Sequence, residues 1–223
     1  MTTGTGNKGF TRPEAGKLLQ DPRFKQILEL DFGDMIPFVL SNIKRRSMIS
    51  ILYASVNIGL LLFILVYTVR GLTADEFSWS LVINQSLTGI AAGSMLIIPV
   101  HELLHGLAYR ILGARKIHFG ADMNQMIFYV TADRYPVSGY ELYFLAMLPF
   151  LVINMITTLV IILWVPQIIL FGSLLLLSHN IMCIGDFAIM NYVFHHTNRI
   201  FTFDLVKERK SYFFEEVICL ESE

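Results

Sequence analysis

The sequence predicts an all-α integral membrane protein of four transmembrane helices, with a short cytosolic β-hairpin between helices two and three. Three observations lead there. The 223-residue chain is 54% hydrophobic and only 16% charged, with a mean hydropathy of +0.57, whereas soluble domains carry about 25% charged residues. The apolar residues gather in long blocks, each near the roughly 20 residues that a bilayer core demands of a helix. Lys and Arg collect at one end of those blocks.

Taken in order, residues 1–47 read as a cytosolic N-terminal segment. Its start, "MTTGTGNKGFTRPEAGK", is polar and lacks the apolar core of a signal peptide. "LLQDPRFKQILELDFGDMIPFVL" has mixed helical periodicity and reads as an amphipathic lead-in on the membrane surface. Residues 48–194 form the membrane domain, with helices over about 48–69, 81–109, 140–165 and 167–194. Pro166 marks a very short turn between the last two. "KIHFGADMNQMIFYVTAD" sets two runs of β-formers around "DMNQ", predicting the hairpin within loop 114–139. "SGYE", Ser138 to Glu141, is a capping box opening the third helix. Residues 195–223 read as a cytosolic C-terminal tail.

Lys44 to Arg46 precede the first helix, Arg110, Arg115, Lys116 and Arg134 follow the second, and Arg199, Lys207, Arg209 and Lys210 follow the fourth. With both termini cytosolic, every Lys and Arg except Arg70 lies inside, as the positive-inside rule asks of a multi-pass protein of the cell membrane. The net charge of −1 offers no basic surface for nucleic acid. The two cysteines, Cys183 and Cys219, define no disulfide framework.

The second helix carries "PVHELLHGLAYR". Residues four apart on a helix lie about 40° apart around the axis and about 6 Å apart along it. His101 and His105 therefore share a face, from which two imidazoles can reach one Zn²⁺. Glu102 sits beside them, placed to take a proton from a zinc-bound water. Ionisable side chains inside a membrane helix cost about 2.5 kcal/mol or more each, so they are rare without a partner or a function.

A catalytic zinc takes a third protein ligand and keeps a position for water. Asp186, in "HNIMCIGDFAIMNY", lies about nine residues, or about 13 Å, before the cytosolic end of its helix. His101 lies about the same distance before Arg110. The equal depths favour Asp186 as the third ligand. Gly185 beside it reads as a site of close helix approach. His179, about two turns away, and Cys183, about one turn away, compete for the role. Together with Asn154 on the third helix they are otherwise candidates to line a cavity. Glu141 is accounted for by the capping box, and His195 and His196 by the membrane interface. Gly89 and Gly93 form a small-xxx-small pair suited to close packing, and Pro99 predicts a kink.

"HELLHGL" on one membrane helix and "CIGD" on a later one resemble the zincin-peptidase family of small bacterial membrane proteins, itself similar to the site-2 intramembrane metalloproteases. The resemblance covers roughly residues 81–192. It implies a zinc metalloprotease, with His101, His105 and Asp186 as ligands, Glu102 as catalytic base and the loop hairpin holding substrate by strand addition. The aspartate stretch departs from site-2 proteases by lacking their prolines and placing Gly before Asp. The expected partners are the lipid bilayer and a membrane protein or peptide substrate. Two other classes also place His and Asp in a membrane: a non-catalytic zinc-binding regulator or adaptor, and an ion-conducting transporter-like protein. Glu102 separates them, because neither needs a glutamate beside the first histidine.

Overall fold

The computed structural model describes residues 12–123, 125, 127–164, 168–196 and 199–217. Pro166 and Cys219, and with them the expected short turn, lie outside these. The chain is mostly helical. A short α1 (Ala15–Gln20) and β1 (Phe24–Asp31) lead into α2 (Met35–Ile43). The long α3 (Met48–Thr73) begins at Ser47, whose hydroxyl accepts from the backbone N–H groups of Ile49 and Ser50. α4 (Trp79–Ala91) runs through a π-helical turn, Ala92–Leu96, into α5 (Ile97–Ile111). β2 (Ile117–Asp122) and β3 (Ile127–Ala132) form the expected hairpin. β4 (Val137–Ser138) precedes α6 (Gly139–Trp164), followed by α7 (Ile169–Met182), α8 (Ile184–Phe194), β5 (Ile200–Leu205) and β6 (Lys210–Glu216).

Three helices are long and apolar enough to cross a membrane, and a fourth candidate is the α7–α8 pair. That pair corrects the expected single helix over 167–194: it breaks at Cys183, with a 46° bend. The break places Asp186 in the first turn of α8 rather than mid-helix. Pro99 lies within α5 and does not break the helix. The 33-residue run Trp79–Ile111 is one continuous candidate span, and the irregularity appears as the π turn just before the proline.

The all-α expectation is also corrected. Besides the hairpin, a four-stranded antiparallel sheet runs in the order β1-β6-β5-β4. The N-terminal lead-in therefore holds a strand, β1, between α1 and α2, and the described part of the C-terminal segment carries two strands. Phe201, Phe203 and Phe214 are buried between the sheet and Leu18 of α1. Val193, Ile200 and Phe213 join the sheet to the end of α8. Burial of these aromatic side chains stabilises the sheet by roughly 2 kcal/mol apiece.

Close helix approach occurs at Gly89 and Gly93, where a Cβ would run into the backbone oxygens of Phe171 and Leu175 on α7. Gly185 has no such role: a Cβ there would meet nothing within 4 Å, and the residue borders the cavity described below.

Candidate metal centre

α5 presents His101 and His105 one turn apart, and α8 brings Asp186 up to both. Asp186 Oδ2 lies 3.3 Å from His101 Nε2, and Oδ1 lies 3.4 Å from His105 Nε2. The two Nε2 atoms are 2.9 Å apart. The three side chains are 12–17% exposed, withdrawn from the surface but open to a cavity. Tetrahedral coordination with bonds of 2.0–2.2 Å asks for donor separations of about 3.3–3.6 Å; the two carboxylate oxygens each lie at that distance from one Nε2, the Nε2 pair is closer, and the group is compact enough to share one ion.

The hydrogen bonds on the far side of each ring support the same fit. His105 Nδ1 lies 3.1 Å from the Leu145 carbonyl oxygen. A carbonyl only accepts, so Nδ1 donates, and in the neutral imidazole Nε2 then keeps its lone pair. His101 Nδ1 lies 3.1 Å from His179 Nε2. With Nδ1 of His101 as donor there, both Nε2 lone pairs point into one space, where they repel unless a cation lies between them. Asp186 supplies the countercharge. Outer hydrogen bonds of this kind orient metal-binding histidines and raise their basicity.

The competing residues sit elsewhere around His101. His179 and Cys183 face its Nδ1 edge, with Cys183 Sγ 3.9 Å from that nitrogen and 3.5 Å from His179 Nε2. These two and His101 form a second group close enough to share an ion, but it engages the other edge of the ring. His179 also borders the cavity. Asn154 instead donates to Asn180 Oδ1 at 2.7 Å and to the Phe150 carbonyl at 2.8 Å, tying α6 to α7. Glu141 completes the capping box, accepting from Ser138 N at 2.8 Å, and also pairs with Arg12.

Asn191 escaped the sequence reading. Fully buried on α8, it donates to the carbonyls of Asn42 and Arg45 at 2.7 and 2.8 Å and accepts from the Ser47 hydroxyl. It thereby pins α8, and with it Asp186, to the turn between α2 and α3. Its signal was a polar residue in an apolar run. The Leu145 carbonyl left no side-chain signal.

His101, Glu102, His105 and Asp186 all border one cavity of about 500 Å³. Five consecutive β3 residues, Ile127 to Thr131, also line it. Strand side chains alternate between faces, so an unbroken lining run means that β3 is presented edge-on. β2 covers its opposite edge. Beyond His105 the cavity passes Tyr109 and reaches Asp204 and Ser211 in the sheet.

Two histidines and a carboxylate around a cavity, beside a glutamate, define a candidate metal site in a mostly helical chain with several apolar spans. Residues 94–201 match the model of the family described as "Putative zincin peptidase", a match that bears out the zincin-peptidase resemblance, points to a metallopeptidase and implies zinc. The matched stretch contains α5, the hairpin, α6, α7 and α8. No curated protein and no solved structure matches the chain.

Proposed function

We propose that this protein is a membrane-embedded zinc metallopeptidase that hydrolyses peptide bonds of membrane-associated substrates. The observation that carries the reading is the convergence of His101 Nε2, His105 Nε2 and the Asp186 carboxylate on a cavity that Glu102 also lines. In this reading those three residues hold Zn²⁺. Zinc in such a site supplies a Lewis acid for the scissile carbonyl and makes water acidic enough to attack at neutral pH. Glu102 accepts the proton of the attacking water and returns it to the departing amine nitrogen. The edge of β3 pairs with an unwound stretch of substrate, whose backbone groups would otherwise be left without partners in a low-dielectric site.

Membrane embedding is supported by the surface of α3. Leu52, Ile58, Leu62, Val66 and Val69 are each more than half exposed, an apolar face suited to lipid rather than water. The run Trp79–Ile111 is 33 residues, about 50 Å against a hydrocarbon core of about 30 Å. Its end therefore projects beyond the core, and His101, about 15 Å from Ile111, sits near the boundary where water and an unwound peptide meet.

The test is metal analysis of the purified protein beside His101→Ala, Asp186→Ala and Glu102→Gln, with cleavage followed on a library of membrane-spanning peptides. Wild type is expected to carry about one zinc per chain. Both ligand variants lose it. Glu102→Gln keeps zinc and loses cleavage by about 10²-fold or more. Undiminished cleavage by Glu102→Gln would sink the mechanism, and normal zinc in Asp186→Ala would sink the ligand set.

A further inference from the structure

α6 contains a fully buried proline, Pro149, within its length. Proline has no backbone N–H. In an α-helix the N–H of residue i+4 serves the carbonyl of residue i, so Leu145 lacks its ordinary helical donor. Leu145 is only 3% exposed, which keeps water from replacing that donor. An unsatisfied carbonyl in such surroundings is costly. The donor that reaches it comes from another helix: His105 Nδ1, 3.1 Å away.

We propose that Pro149 is a positioning residue of the metal centre. By withholding an N–H it reserves the Leu145 carbonyl for His105, fixing the imidazole in the tautomer and orientation that present Nε2 toward His101 and Asp186. The proposal rests on the metallopeptidase reading above. An alanine at 149 restores an N–H that competes for the carbonyl from within α6. His105 then loses the acceptor that defines its tautomer. Substitutions that disturb such outer partners weaken metal binding by about 10–100-fold.

The experiment compares full-length wild type and Pro149→Ala in detergent. Zinc affinity is read by competition with a chelator, coordination by the visible spectrum of the Co²⁺-loaded protein, and packing by the melting temperature of the metal-free protein. The expected result is zinc binding about 10–100-fold weaker, a shifted Co²⁺ spectrum, and a metal-free melting temperature unchanged or raised by the added helical bond. Equal zinc affinity in the two proteins overturns the proposal and leaves the metal reading standing. So does weaker binding accompanied by a lowered metal-free melting temperature, which would mark a packing effect. A wild type that binds no zinc removes the metal reading and this proposal together. Should Pro149→Ala fail to fold, ¹⁵N-histidine NMR of the zinc-loaded wild type decides. Ligation of His105 through Nε2 with a protonated Nδ1 supports the proposal, and ligation through Nδ1 overturns it.

Discussion

Asp204 is held under different terms from Asp186. It borders the same cavity, but its side-chain partner is the Ser211 hydroxyl at 2.6 Å. Burial pushes its carboxyl up to about 6; the Ser211 hydrogen bond opposes this and nearby Asp133 adds to it. A folded-state value above the unfolded value means that the folded protein binds the extra proton, so stability falls as pH rises from about 4 to about 6. Asp204→Asn removes that charge while keeping an acceptor for Ser211. It is expected to raise stability by about 3 kcal/mol at pH 7, with the difference opening between pH 4 and 6 and level above. Melting temperatures of both proteins across that range check it; a difference independent of pH would refute it. The sequence could not reveal this environment, because Asp204 lies in an ordinary alternating run and its burial is created by a partner strand and Asp133. The clustering of His101, His105 and Asp186 was legible for the opposite reason. Helical periodicity places His101 and His105 on one face, and equal distance from two helix ends places Asp186 beside them.

Among the elements, α4 and α7 are held close by glycine. A Cβ on Gly89 would lie 2.6 Å from the Phe171 carbonyl oxygen and 3.1 Å from Leu174 Cβ. Backbone cannot yield as a side-chain tip can, so Gly89→Ala is expected to destabilise by about 1–3 kcal/mol. Gly59, on α3, has nothing within 4 Å of a Cβ, and Gly59→Ala is expected to be neutral or to stabilise by up to about 1 kcal/mol. Thermal unfolding of the two variants in detergent separates packing from the general effect of removing a helical glycine; equal shifts would refute the close contact. This pair was legible because small residues four apart mark one helix face. The break at Cys183 was not, since no proline or glycine stands at that position. β1 was missed for a related reason. Its pairing energy comes from β6, at the far end of the chain, and a local window cannot register a partner that distant.

At the scale of the whole molecule, the four-stranded sheet joins three segments far apart in sequence. β1 precedes the first candidate span, β4 lies between α5 and α6, and β5 and β6 follow α8. Hydrogen-bonded strands share one compartment, so the N-terminal segment, the end of the α5–α6 connection and the C-terminal segment lie on the same side of any membrane the helices cross. An even number of spans between β1 and β5 follows, which supports counting the bent α7–α8 pair as one span and four in all. By the positive-inside rule the sheet is expected to face the cytosol, since Lys44 to Arg46, Arg115, Lys116 and Arg134 flank its strands in the sequence. The turn between α3 and α4, with exposed Glu76, is then expected on the opposite side. Cysteine labelling in intact cells tests this directly. Cys183 is fully buried and can stay, while Cys219 is replaced by serine. A cysteine at Glu76 is expected to react with a membrane-impermeant maleimide without disruption of the cells. One at exposed Lys207, beside β5, reacts only after permeabilisation. Labelling of both from outside would place the sheet and the α3–α4 turn on one face, and would end the four-span reading.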